Sequence, residues 1–138
     1  MKLLNKIAAV YPMRLDNHPA YKVTSKKFPM PIKIPIYACL FGIRLDTVYY
    51  IRTEIIDIDS NEPKVDAYLH YKMERAATEE LKSQFPDDES VISTININSE
   101  PFTISKPDHI YQITITLCDK SKKPLDSKIT YFSTESEK

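Results

Sequence analysis

The chain of 138 residues contains a single glycine, Gly42. About ten would be expected at an average usage near 7%. Phosphate-binding loops of the P-loop and dinucleotide-binding kinds need several glycines, because their backbone must approach the phosphates closely. The G-x-S-x-G turn of the α/β-hydrolases does not occur in the sequence either. The sequence therefore excludes the standard forms of these nucleotide-binding and hydrolase sites.

Apolar residues alternate with polar ones along most of the chain, which predicts β-strands. The clearest case is DHIYQITITLCDK, in which Tyr111, Ile113, Ile115 and Leu117 share one strand face. Residues 47–58 carry apolar side chains on both faces, so this strand is predicted to be central in its sheet. The predicted strands are residues 34–41, 47–58, 64–73, 91–98, 102–104, 110–118 and 125–133, with two more in the N-terminal third.

Residues 64–85 fit two interpretations. Alternation from Lys64 to Met73 predicts a strand, followed by one short helix over 76–85 that Pro86 helps to end. Several apolar residues in the same segment also recur at helical spacing. A single longer helix over 64–85, which would make the fold α+β, is therefore the alternative.

The length predicts a single domain over residues 1–138, with residues 134–138 as a disordered tail. In FPMPIKIPI, the prolines Pro29, Pro31 and Pro35 require extended backbone and argue against a helix. Seven to nine strands with at most one short helix predict an all-β fold. The predicted architecture is an antiparallel β-sandwich, Ig-like in the loose sense.

The corners of this fold must be made almost without glycine. Segments such as DNHP, DSNEP, FPDDES, SKPDH and DKSKKP supply Pro, Asp, Asn and Ser, which are expected to turn the chain while keeping φ negative. Two-residue hairpins of type I′ are then disfavoured, and longer loops are expected. Gly42, between two apolar strands, is predicted to lie at a β-bulge or tight bend that needs positive φ or close backbone approach.

The segment DIDSNE, Asp57–Glu62, begins like an EF-hand calcium loop, with Asp, Asp and Asn at alternate positions. The pattern then departs from that loop. Glu62 stands where the loop needs Gly, and Tyr68 stands where it needs the last Glu. We therefore interpret the segment as a polar turn that follows a long strand.

Histidines and cysteines form no recognised site in the sequence. His18, His70 and His109 lie outside metal-ligand spacing of one another and of any cysteine. Cys39 and Cys118 lie in apolar strand-like segments and are expected to be buried thiols in a reducing compartment. No catalytic, cofactor-binding or metal site is predicted, and the chain is not expected to be an enzyme.

Charge and hydropathy restrict the partners. Lys and Arg total 19, as do Asp and Glu, whereas nucleic-acid-binding proteins usually carry a basic surplus. No apolar run approaches the ~20 residues of a spanning helix. The start, MKLLNKIAAVYPM, lacks the long apolar core and cleavage site of a signal peptide. We expect a cytoplasmic protein that binds neither nucleic acid nor membranes.

The segment STININSEPFTISKPDHIYQITITLCDKSKKPLDSKITYF resembles the end of small uncharacterised bacterial or phage Ig-like β-sandwich proteins, a family of unknown function. The resemblance rests on the pair Pro101 and Phe102, on Tyr111 and on the alternation that follows it. The family usually has a glycine before this tyrosine, where the chain has PDH, residues 107–109. The resemblance implies the fold and no activity. Gly42, Pro101, Phe102 and Tyr111 are expected to have structural roles.

The sequence favours a non-catalytic protein-interaction module of bacterial or phage origin. It would act through a strand edge or a loop surface on another protein or on its own copies. A structural subunit of a phage or other assembly is the alternative. A second alternative is an enzyme whose site combines His70 or His109 with nearby carboxylates, which a deep polar pocket around a histidine would favour.

Overall fold

A computed structural model describes residues 3–14, 16, 18–74 and 90–137 of the chain. All regular secondary structure in these ranges is β-strand. The strands are β1 (Lys6–Pro12), β2 (Lys22–Ser25), β3 (Met30–Ile32), β4 (Pro35–Arg44), β5 (Tyr49–Asp57), β6 (Glu62–Tyr71), β7 (Ser90–Asn98), β8 (Phe102–Ile104), β9 (Ile110–Cys118) and β10 (Pro124–Ser136).

Two sheets face each other across one hydrophobic core. The first has the strand order β1-β4-β7, and the second has the order β2-β10-β9-β5-β6. A small third sheet pairs β3 with β8, and every pairing is antiparallel except that of β2 with β10. The predicted all-β class and antiparallel β-sandwich are confirmed, and β5 is central as expected. No helix long and apolar enough to cross a membrane occurs in the described ranges.

The core consists of the inward-facing residues of the alternating strands. In β9, Tyr111, Ile113, Ile115 and Leu117 are all fully buried, as their alternation predicts. The ring of Tyr111 stacks on Phe132 of β10 with centroids 4.9 Å apart. Burial of one such large apolar side chain stabilises the fold by roughly 1.5–3 kcal/mol. Strand alternation, rather than any turn, thus fixes which face of each sheet points inward.

Three expectations about element boundaries differ from the structure. The described residues form ten strands rather than seven to nine, because the proline-rich residues Met30–Ile32 are extended and pair with β8. Glu62–Tyr71 form a strand, so the alternative of one helix over 64–85 is wrong; the short helix predicted over 76–85 lies outside the described residues. Residues 134–136 are not a disordered tail, because β2 supplies their backbone partners in a parallel ladder.

Gly42 has a φ of 67° and lies at a register shift between β4 and β7, so the predicted bulge is confirmed. The bulge lies within β4, which continues to Arg44, rather than between two strands. The carbonyl of Gly42 accepts hydrogen bonds from the backbone N–H groups of Leu4 and Asn5 at 3.0 and 3.1 Å. The glycine thus holds the chain entering β1 against β4.

The expectation that all other corners keep φ negative is wrong. Asp46, Asn61, Asp108 and Lys122, each in a turn between strands, have φ between 54° and 63°. Asn and Asp tolerate this left-handed region better than other side chains, because their short polar groups bond to local backbone. Asn and Asp therefore replace glycine at three of these four corners. The hairpin loops between β5 and β6 and between β9 and β10 are nevertheless longer than two residues, as predicted.

Candidate functional site

On one side of the sandwich, no strand of the described ranges joins the two sheets. There β6 ends the five-stranded sheet and β7 ends the three-stranded sheet. The N–H of Ile58 donates to the carbonyl of Ile110, so the backbone groups of even-numbered residues in β5 face β9 and those of odd-numbered residues face β6. In β6, the partners of these odd-numbered residues are Val65, Ala67 and Leu69, whose backbone groups therefore face β5. The backbone groups of Asp66, Tyr68 and His70 consequently point away from the sheet. Within the described ranges, no strand pairs with them.

The same alternation applies to β7. The N–H of Ser99 bonds to the carbonyl of Ile34 in line with the β4 ladder, so odd-numbered residues before it also face β4. Thr94, Asn96 and Asn98 then present their backbone groups to the open side. Two unpaired strand edges, one from each sheet, therefore flank this side of the described structure.

A cleft of about 230 Å³ lies between the two edges. Its floor includes the buried side chains of Thr53, Val65 and Ile97, which are at most 5% exposed. Leu69 lies on the core-facing side of β6 but is 42% exposed, because no described strand covers it. Asn96 and other polar residues of β7 line the mouth. The cleft thus combines an apolar interior with hydrogen-bonding edges.

Side-chain contacts fix the walls of the cleft. At one end, the hydroxyl groups of Tyr71 and Ser93 form a hydrogen bond between β6 and β7. On the outer side of β6, Arg52 holds Asp66 through two hydrogen bonds of 2.8 Å. These bonds lower the pKa of the Asp66 carboxyl below its ordinary value. The β6 wall is therefore held in place by contacts within its own sheet and with the facing sheet.

The opposite side of the sandwich is closed by direct contacts between β1 and β10. The backbone N–H of Ile7 donates to Oδ2 of Asp126 at 2.8 Å, and Lys6 lies 4.0 Å from the same carboxylate. A side-chain bridge thus replaces backbone pairing between these two strands. The two sides of the described structure consequently differ, and on the β6–β7 side the core-facing Leu69 is exposed.

A polar cluster lies at one end of the sandwich, where the β5–β6 loop meets the start of β9. Oδ2 of the buried Asp57 lies 2.6 Å from Nδ1 of His109. The nearest ligand atoms of Asp57, Asp59 and His109 all lie within 4.8 Å of one another. These residue types could hold a divalent metal ion. The structure thus brings together a histidine and two carboxylates that sequence spacing alone did not connect.

The hydrogen bonds of this cluster fit a structural role. Oδ1 of Asp57 accepts the N–H groups of Asp59 and Ser60, and Oδ2 of Asp59 accepts the N–H of Ile110 at 2.7 Å. Burial raises the pKa of Asp57, but the bonds from His109 and these N–H groups outweigh it and lower the pKa below its ordinary value. The cluster therefore clamps the loop to β9 through its own acceptors.

The residues expected to be structural divide between two parts of the fold. Phe102 in β8 lies 6.1 Å from the ring of Tyr111 in β9, and both are buried. Burial and the nearby carboxylate of Asp57 raise the pKa of Tyr111 to about 12. Pro101 is exposed immediately before β8. Gly42 lies in β4 of the three-stranded sheet. The fold thus brings Phe102 and Tyr111 together but not Gly42.

The two histidines of the enzyme alternative lie in different places. His109 belongs to the polar cluster, whereas His70 lies on the outer face of β6, where its ring contacts Tyr50 at a centroid distance of 5.6 Å. Cys39 and Cys118 are free; Cys118 is buried as expected, whereas Cys39, also expected to be buried, is partly exposed. No histidine lines the cleft between β6 and β7. The structure therefore does not join His70 and His109 in one site.

The sequence carries no indication of the cleft. In residues 125–133, the alternation of Leu125, Ile129 and Tyr131 with polar residues predicts that these three face the core, and this prediction is wrong for the last two. Ile129 and Tyr131 in β10 alternate as core residues would, but they are 52% and 47% exposed on the outer face. Thr130 and Phe132 face the core instead. The size of Phe132 was the available signal, because the face that carries the largest apolar ring is normally the inner one.

Comparisons with known proteins place the fold among β-domains of larger proteins. A glycosyl hydrolase family 2 member from Bacteroides cellulosilyticus superposes with a TM-score of 0.63 and 8% identity, over 96% of this chain and 16% of that one. An adhesin from Mobiluncus mulieris, with intramolecular disulfide, isopeptide and ester cross-links, superposes with a TM-score of 0.59 and 13% identity, over 94% of this chain and 57% of that one. The chain therefore spans less than two thirds of either protein.

No family model and no curated protein sequence matches the chain. At identities of 8% and 13%, the structural likeness shows the fold alone. The chain is thus a β-sandwich domain of loosely Ig-like architecture. The resemblance to small bacterial or phage proteins stays a prediction.

Proposed function

We propose that the chain is a non-catalytic interaction module that binds an extended segment of another protein in the cleft between β6 and β7. The observation that carries this proposal is Leu69, which faces the core side of its sheet and is yet 42% exposed. An apolar side chain in this position gains stability when a partner removes it from water. A strand from the partner is the occupant whose shape fits the cleft.

The two unpaired edges support an extended backbone as the ligand. Unpaired N–H and C=O groups are offered at strand spacing along both edges. They belong to Asp66, Tyr68 and His70 on β6 and to Thr94, Asn96 and Asn98 on β7. Addition of a strand to such an edge obtains affinity from main-chain hydrogen bonds and specificity from pockets for alternate side chains. The partner should therefore carry apolar side chains at alternate positions facing Val65 and Leu69.

The composition of β6 favours a different protein over a second copy of this chain. Pro63 is the second residue of β6, and Lys64, Asp66 and His70 occupy three of the four alternate positions from 64 to 70. Proline and charged side chains are the devices that limit edge-to-edge pairing between identical strands. Exposed Glu100, at the mouth of the cleft, favours a partner segment with a Lys or Arg next to its apolar residues.

Lack of catalysis is part of the same proposal. The titratable groups brought closest together, Asp57 and His109, already bond to each other, and Asp57 also accepts two backbone N–H groups. A general base must instead reach a proton on a bound substrate. The clamp role accounts for these residues without a reaction.

The proposal can be tested by photo-crosslinking followed by measurement of binding. A benzophenone amino acid in place of Leu69 is expected to crosslink a protein in the organism that encodes the chain, and the same probe at Tyr131, on the outer sheet face, is expected not to. The captured protein is then purified. Leu69→Arg should weaken its binding at least about tenfold, as for a central apolar contact.

Ile129→Arg is the matched control, because Ile129 is 52% exposed and lies away from the cleft. It should leave the affinity unchanged within about twofold. Equal losses in the two variants, or a chain that crosslinks only to its own copies, would overturn the proposal. Circular dichroism confirms that both variants fold.

A further inference from the structure

Three aromatic rings meet on the outer face of the five-stranded sheet. Tyr50 of β5 lies edge-on to Tyr68 and to His70 of β6, with centroid distances of 6.3 and 5.6 Å and interplanar angles of 87° and 86°. Tyr68 is 43% exposed, and His70 is exposed as well. The exposed face of an aromatic ring carries partial negative charge and attracts a cation.

A cation of the chain itself lies over two of these rings. Nζ of Lys122 lies 4.6 Å from the centroid of the Tyr68 ring and 5.2 Å from that of Tyr50. Both distances are within the range of about 6 Å over which a ring quadrupole attracts an ammonium group. Lys122 makes no ion pair with a described carboxylate, and its side chain is exposed. Its ammonium group is thus held by aromatic rings and remains accessible to exchange.

The β9–β10 turn does not depend on this contact for its shape. Oδ1 of Asp119 accepts the N–H groups of Ser121 and Lys123 at 2.8 and 2.9 Å. Backbone hydrogen bonds of 2.9 Å also join Asp119 to Lys122 and to Lys123. These four bonds close the turn, so a different side chain at position 122 can leave the rings without opening it.

The second cation near the rings is already neutralised. The guanidinium of Arg52 lies 5.6 Å from the Tyr68 centroid, but it forms two bonds of 2.8 Å with Asp66 and lies 3.6 Å from Glu54. The negative charges of these two carboxylates offset the charge of Arg52. They leave the surroundings of the rings favourable to a further cation.

We propose that Tyr50, Tyr68 and His70 form a binding site for an alkylammonium group, and that Lys122 occupies this site in the free protein until a ligand displaces it. This site uses the side chains of Tyr68 and His70 on the outer face of β6, whereas the proposed strand-binding edge uses the backbone groups of the same two residues. Two sources share the ligand chemistry: a lysine side chain of a protein, and a quaternary ammonium group of the choline kind. A tethered competitor lowers the apparent affinity for either one, because Lys122 is present at a high effective concentration.

The test compares the wild-type chain with Lys122→Gln and with the matched control Lys123→Gln, which removes the same charge from the same turn. Each protein is titrated with tetramethylammonium chloride and with n-butylammonium chloride at constant ionic strength, and the aromatic resonances of Tyr50 and Tyr68 are followed by NMR. Lys122→Gln is expected to bind at least one of these cations about fivefold or more tightly than the other two proteins.

A preference for tetramethylammonium would indicate quaternary ammonium ligands, and a preference for n-butylammonium would indicate lysine side chains. Addition of Tyr68→Leu to Lys122→Gln should abolish the gained affinity. Equal affinities in Lys122→Gln and Lys123→Gln, or binding that survives Tyr68→Leu, would overturn the proposal. Circular dichroism of each variant verifies the fold.

Discussion

Nδ1 of His109 and Oδ2 of Asp57 lie 2.6 Å apart although the two residues are 52 positions apart in the chain. The contact fastens the β5–β6 loop to the start of β9, and the bond from Ile110 to Asp59 adds a second fastening. The turn Asp57–Glu62, which resembles the beginning of a calcium loop, thus uses its carboxylates to bind the start of β9. The partner of this turn comes from another loop rather than from its own sequence.

Removal of the charge at Asp57 should destabilise the protein and reduce its sensitivity to acid. Because the fold lowers the pKa of Asp57, this stabilisation is present above the unfolded value near pH 4 and is lost as the pH falls through the lower folded value. Asp57→Asn should lower the free energy of unfolding by about 1–3 kcal/mol at pH 7. Urea unfolding should show a smaller difference between the two proteins at pH 3.

His109→Gln provides the partner for a double-mutant cycle with Asp57→Asn. Groups in direct contact are not additive, so the double variant should lose less stability than the sum of the two single losses. Strict additivity would contradict a direct Asp57–His109 interaction.

Gly42→Val should destabilise the fold by about 2 kcal/mol or more, because a branched side chain is strained at positive φ. Asn61→Gly is the reference substitution, since its φ of 57° suits glycine equally well. Thermal unfolding should show a clear fall in melting temperature for Gly42→Val and little change for Asn61→Gly. An unchanged melting temperature in Gly42→Val would refute the bulge as a requirement of the fold.

Tyr111 should make the protein sensitive to alkali. Its folded pKa of about 12 exceeds the unfolded value of 10.0, so this contribution is fully present below pH 10 and is lost as the pH rises through 12. The loss is at most about 3 kcal/mol. Tyr111→Phe should lower the slope of unfolding free energy against pH above pH 10. An identical slope in both proteins would contradict the assigned pKa.

The two thiols should react at different rates in the native state. Cys118 is 1% exposed and burial raises the pKa of its thiol, whereas Cys39 is partly exposed. Because the thiolate is the reactive species, an aromatic disulfide reagent should modify Cys39 first and Cys118 only on unfolding. Cys39→Ser should therefore show almost no reaction in the native state, and fast reaction of that variant would contradict the burial of Cys118.

Most strands could be predicted from the sequence because burial with a period of two is a local property. The predicted bounds of β9, from its alternation, and of β8, from its flanking prolines, match the observed strands. The face of β10 was harder to assign. A bulge between Pro124 and Asp126 interrupts the pairing, so Leu125 and Tyr131 gave no reliable reference for the strand's inner face.

The cleft between β6 and β7 could not be predicted from the sequence, because it lies between two strand edges that have no strand partner in the described ranges. Residues 65–69 and 96–100 meet only because β6 and β7 end different sheets, and no local pattern fixes the order of strands in a sheet. Asp46 and Asn61 show the same limit at smaller scale. Both residue types permit either sign of φ, so residue type alone does not fix the shape of these turns.

The most direct test of the account is a comparison of Asp66→Pro with Asp66→Ala in binding of the partner captured at Leu69. Both variants lose the bonds to Arg52, but only proline removes the N–H that points to the open edge, where strand pairing with β5 does not need it. The account predicts about fivefold to tenfold weaker binding for Asp66→Pro than for Asp66→Ala, by titration calorimetry. Equal affinities in two folded variants would contradict strand addition at β6.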